Sequence, residues 1–166
     1  MSRSRRILLA GGIALAVFGM AYGMWYAIFA EHQALEEIGV SLSSAFSGAA
    51  QRDAAQSGAA LLRYKESKYV YDRQVDVHSH WIGLAMVLIV LGLSFDQVSF
   101  SERLKIWIAV GILAGAWAFP LGVLFQAYGH GPLPRILAIS GSAMEIVSLC
   151  FIALGFARGQ FSISRS

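Results

Sequence analysis

Four long apolar runs constrain this chain more than any other feature, because its charged residues fall almost wholly outside them. A helix rises ~1.5 Å per residue and the hydrocarbon layer of a bilayer is ~30 Å thick, so about 20 apolar residues make one crossing. Residues 7–30, 106–125 and 136–157 meet that length directly. The second run is shorter, since uninterrupted apolar sequence begins only at Trp81 and ends at Phe95, before Asp96. Counting ~20 residues back from Phe95 starts its helix near Asp76. The expected architecture is all-α: an integral membrane four-helix bundle over 1–166, with spans at about 7–30, 76–95, 106–125 and 136–157. Composition agrees, with 57% hydrophobic and 14% charged residues against about 45–50% and about 25% in ordinary soluble domains.

The first run follows Arg3, Arg5 and Arg6, which also suits a secretory signal peptide. Its 24 residues exceed the ~7–15 of a signal core and no small-x-small cleavage site follows, so a retained span is expected. Trp25 and Tyr26 close it with interfacial aromatics. Pro120 should kink the third span or end its regular part. The run Gly129-His130-Gly131-Pro132-Leu133-Pro134 reads as a loop.

Orientation rests on where basic residues crowd. With the N-terminus inside, the inner segments hold Arg3, Arg5, Arg6, Arg103, Lys105, Arg158 and Arg165, and the outer ones Arg52, Arg63, Lys65, Lys68, Arg73 and Arg135. The inner set sits in short tails and one short loop, whereas five of the outer six are spread through a long loop. Charges near span ends weigh most, which favours cytoplasmic termini and an outer loop at 31–75; the membrane expected is a bacterial inner (cytoplasmic) one, with that loop periplasmic. That loop should be helical: Leu35, Ile38, Leu42, Phe46 and Ala49 recur at steps of three or four, and Tyr64, Tyr71 and His78 at seven. A net charge of +3 is too mild to suggest nucleic acid. The single cysteine, Cys150, forms no intrachain disulfide and is expected to be a buried thiol.

All four histidines then share the outer side: His32 after span one, His78 and His80 opening span two, and His130 in the last loop. Histidine is the commonest metal ligand, so His80 or His78 with His130 or His32 could hold a haem iron or a copper or zinc ion. On a regular helix residues two apart point ~200° away from each other, so only one of His78 and His80 can face inward. His80 with His130 is the favoured metal pair. The opposing expectation is interfacial histidines bonded to headgroups, water and backbone. Glu145 lies ten residues, or about 15 Å, beyond Arg135 and so near mid-membrane. An ionisable group there is costly, which points to a proton-relay or quinone site, or to a packing carboxyl bonded to a neighbouring helix. Arg135 and Tyr128 could contact a haem propionate or quinone headgroup. Gly111 and Gly115, with Ser140, Gly141, Ser142 and Ala143, read as close-packing positions.

The stretch Val77-His78-Ser79-His80-Trp81-Ile82-Gly83-Leu84 resembles the paired-histidine helix openings of haem-binding bacterial membrane proteins, including the haem-copper oxidase type and small four-span proteins. The resemblance covers eight residues and implies a b-type haem or transition metal near the outer face, with a part in respiratory electron transfer. Too few spans and no further intramembrane histidines exclude a full dinuclear oxygen-reducing site. No phosphate-binding loop, H-E-x-x-H or G-x-S-x-G motif suggests another enzyme class. Two functions are therefore expected: a small redox-associated protein, or a cofactor-free accessory subunit or assembly factor that holds other membrane subunits. A small transporter is the third, with only Glu145 polarising the centre of the bundle.

Overall fold

The structure, a computed structural model, describes residues 1–129 and 131–163, with side chains described as far as Gly159. It is all-helical among these residues: α1 (Arg3–Phe29), α2 (Glu31–Ala50), α3 (Ala54–Ser94), a 3-10 turn (Phe95–Gln97), α4 (Glu102–Tyr128) and α5 (Pro132–Ile163). Four of them, α1, α3, α4 and α5, are long and apolar enough to cross a membrane. Helices α1, α3 and α4 pack against one another, and α5 lies against α4.

Helix α3 joins span two to the helical second half of the outer segment in one element. Its 41 residues form one helix about 60 Å long, twice a hydrocarbon thickness. Neither Pro nor Gly interrupts 59–82, and Asp53 caps its start by accepting a hydrogen bond from the Gln56 amide at 2.9 Å. Helix α1 follows its lower part and α2 its upper part, so most of α2 and residues 54–70 stand as an antiparallel hairpin beyond the other helices. The loop expected at 31–75 is thus almost wholly helical.

At the hairpin tip α2 ends in a Schellman motif. The Asp53 amide donates to the Gly48 carbonyl at 2.8 Å and the Arg52 amide to the Ala49 carbonyl at 3.0 Å. Arg52 takes the left-handed conformation, φ 58°, which costs a residue with a Cβ about 1 kcal/mol. Arg52→Gly should therefore stabilise the hairpin by about 1 kcal/mol, read as slower amide exchange over 45–60. Unchanged exchange would show that the turn carries no such strain.

The apolar stripe of α2 does not face α3. Ser41, Ala45 and Gly48 do, and a Cβ on Gly48 would lie 2.8 Å from the Ser57 amide nitrogen. Small residues let the two backbones approach closely, which turns Leu35, Leu42 and Phe46 outward; Phe46 is 69% exposed.

The same logic holds between α1 and α3. Gly12, Gly19 and Gly23 press on Ile89, Trp81 and His78, and a Cβ on Gly12 would sit 2.9 Å from Ile89 Cγ1. Gly19-x-x-x-Gly23 is thus a second close-packing motif, beside Gly111 and Gly115 of α4. At the opposite end, Arg5 pairs with Asp96 at 2.9 Å, and the Ser4 amide donates to Glu102 at 2.9 Å. These contacts tie the start of α1 to the α3–α4 connection. Pro120 neither ends nor interrupts α4, which runs on to Tyr128. Pro132 opens α5 rather than standing in a loop, as suits a residue without an N–H. Cys150 is exposed on α5, contrary to the buried thiol expected, because the inward face of α5 is the one carrying Glu145, Ser148 and Ile152.

Candidate functional site

The chemistry-bearing side chains gather where the hairpin leaves the other helices. Buried positions of α3 recur every seven residues, at Ala60, Ser67, Gln74, Trp81 and Leu88. Gln74, 6% exposed, joins three helices: the Tyr22 hydroxyl donates to its Oε1, and its Nε2 donates to Tyr128 Oη at 3.0 Å. Below it Trp81 is fully buried, with Phe18 edge-on at 4.8 Å and Tyr22 at 5.1 Å between ring centroids. Sequence reasoning named neither Gln74 nor Trp81 as positioning residues. Their seven-residue spacing is a signal that could have found them, but Tyr64, Tyr71 and His78 share that spacing and lie three positions out of phase. Gln74→Leu should cost about 1–3 kcal/mol by leaving the Tyr22 hydroxyl without its acceptor. Adding Tyr22→Phe should recover part of that loss in detergent unfolding, and no recovery would exclude the bond as the cause.

The structure separates the histidines. His78 turns to α1, its Nδ1 3.0 Å from the Gly19 carbonyl oxygen. His80 turns to α4, its ring edge-on to Phe119 at 4.7 Å, with Nδ1 2.6 Å from the Asp76 carbonyl oxygen. The ~200° between positions two apart on a helix thus gives each its own interface. With Nδ1–H donated to a carbonyl, each imidazole keeps its Nε2 lone pair. His32 is exposed on α2. His130 lies outside the described residues, and so therefore does its pairing with His80. Among the described residues no three of His, Cys, Asp and Glu come together as a metal site. His78 and His80 do not fit a single ion. His80, its ring oriented by the Asp76 carbonyl, would offer a single nitrogen, Nε2, to a haem or metal.

Glu145 sits in the α4–α5 contact, 8% exposed, and its Oε1 is buried without a hydrogen-bond partner. The two helices run antiparallel in one register. Gly122 meets Ala138, Gly141 meets Phe119, Gly115 meets Glu145 and Gly111 meets Ser148. Glu145 is thus one turn, about 6 Å, below the level of Phe119 and its neighbour His80. Arg135 is exposed on the first turn of α5, and Tyr128 is 70% exposed and bonded to Gln74. Both lie at the end of the α4–α5 pair nearest the hairpin, well away from Glu145.

No family model, no curated protein and no solved structure matches this chain.

Proposed function

We propose that the chain is an integral membrane four-helix bundle acting as an accessory subunit or assembly factor, whose outer hairpin holds another membrane protein subunit. The observation that supports this is the hairpin's outward apolar stripe. By helical phase Leu35, Leu42 and Phe46 share one flank of α2, and Leu61 of α3 falls on the same flank. Large apolar side chains turned toward water, with no charged residue of α2 between Leu35 and Phe46 on that flank, mark a protein contact. A hairpin standing directly on its own spans meets partners in the same bilayer. In this reading both termini are cytoplasmic and the hairpin is periplasmic, as the crowding of basic residues favours.

A photo-crosslinker at Phe46 should give one heteromeric adduct in membranes, and one at Glu36, on the opposite flank, should give none. Leu42→Glu should abolish the adduct while the helical circular dichroism is unchanged. Adducts of equal yield from both flanks, or only a homodimer, would overturn the reading.

The orientation of His80 favours a second function, a redox-associated protein binding a b-type haem or a transition metal through His80 and His130. Such a group would supply one-electron chemistry when bound. His80 would hold it through Nε2, and Glu145 would carry a proton or meet a quinone about one turn deeper. A Soret band in purified protein, lost in His80→Ala, supports this reading; colourless, metal-free protein from haem-replete cells sinks it.

A further inference from the structure

A cleft of about 280 Å³ opens between the end of α1 and the middle of α3, lined by Gly23, Tyr26, Glu31, Tyr71, Val75 and His78. Its chemistry is one-sided. Glu31 brings a carboxylate, and His78, whose Nδ1 is taken by the Gly19 carbonyl, brings the Nε2 lone pair. Tyr26 is 6% exposed and its hydroxyl is buried without a hydrogen-bond partner. The Tyr26 and Tyr71 rings, 6.5 Å apart and inclined at 48°, add two aromatic walls. No lysine or arginine is among the lining residues.

Acceptors and aromatic faces with no cation of their own suit a positively charged ligand. Three properties narrow its class. The described residues bring no third His, Cys, Asp or Glu to complete a metal's donor set here. The acceptors are of three kinds and separate, which matches the three N–H bonds of a primary ammonium; a quaternary ammonium donates none. The cleft also opens on the flank of the α1–α3 pair opposite α4. By helical phase that flank carries Met20, Met86 and Val90, all more than 60% exposed, and in a bilayer it faces lipid. An amphiphile with its chains along this flank would set its headgroup at the level of the cleft.

We infer that this cleft binds the primary ammonium headgroup of an aminophospholipid, with Glu31, His78 and Tyr26 as its acceptors. Glu31 neutralises the charge, the Tyr26 hydroxyl gains the partner it lacks, and Gly23, having no Cβ, lets the His78 imidazole pack against α1. The site is separate from His80 and from the hairpin's apolar stripe. It rests on the membrane reading above, and the two fail differently: protein recovered in the soluble fraction without detergent sinks the membrane reading, whereas membrane-embedded protein indifferent to headgroup sinks only the site.

The test is native mass spectrometry of the full chain released from nanodiscs of equal phosphatidylethanolamine and phosphatidylcholine. Wild type should retain phosphatidylethanolamine over phosphatidylcholine by about tenfold. Glu31→Gln, at a half-buried position that leaves the packing intact, should bring the ratio near one, and Tyr26→Phe should lower it several-fold. Millimolar free ethanolamine should compete with the lipid, which separates headgroup recognition from chain packing. Circular dichroism confirms that each variant is folded. Equal retention of the two lipids by wild type, or an unchanged preference in Glu31→Gln, overturns the inference. So does stoichiometric zinc that excludes the lipid.

Discussion

Gly122→Ile should destabilise the α4–α5 pair by at least about 3 kcal/mol and leave little folded protein in detergent. A Cβ at Gly122 would meet the backbone and Cβ of Ala138, and one at Gly141 would meet the backbone of Phe119. Backbone cannot rotate aside as a side chain can, so the helices must separate. Among the α-helices α5 packs on α4 alone, and its other contacts, to residues 97–100 beside Gly155, lie far along the helix from Gly122. Gly141→Ile should behave alike. Gly83 is the contrast, since a Cβ there has open space around it. Gly83→Ala should raise stability by about 0.5–1 kcal/mol through helix propensity alone. Thermal unfolding of the three variants in one detergent separates these cases. Equal effects at Gly83 and Gly122 would mean that the α4–α5 contact is looser than described.

Glu145→Met should stabilise the fold by about 1–3 kcal/mol, because it removes a buried polar atom that lacks a hydrogen bond and keeps the side-chain volume. Natural sequences place such a group at a cost to stability where it serves a function, which is why Glu145 is a candidate site residue. The same variant should lose whatever proton or quinone chemistry the chain supports. Glu145→Lys should destabilise strongly, since a longer cation has no counter-charge against Gly115 and Ser148. Denaturant unfolding of Glu145→Met beside wild type measures the change directly. A loss of several kcal/mol would show that the carboxyl has a structural partner and would end its candidacy as a functional acid.

Much of this was legible in the amino-acid order. Run length and charge placement settle four apolar helices, because one periodicity and one rise per residue govern them all. The opposed directions of His78 and His80 follow from helix geometry alone. The burial of Glu145 follows from its place ten residues inside an apolar run, although its lack of a partner does not.

Other features depended on which helix lies beside which. Nothing at Ala30 signals a break, being neither Gly nor Pro, yet α1 ends there while α3 runs unbroken past the same level. The recurrence of Leu35, Leu42 and Phe46 marks a helix with an apolar stripe, but the small residues Ser41, Ala45 and Gly48 make its contact with α3. Close approach of two backbones requires small side chains, and hydrophobic periodicity does not record size. The joining of Tyr22, Gln74 and Tyr128, and the convergence of Tyr26, Glu31 and His78 on one cleft, link residues up to 54 positions apart. Four helices and one buried acid were thus determined by the sequence itself, since each is a property of a single helix. Partners, clefts and outward faces were decided only by the tertiary structure, because they depend on the phase at which one helix meets another.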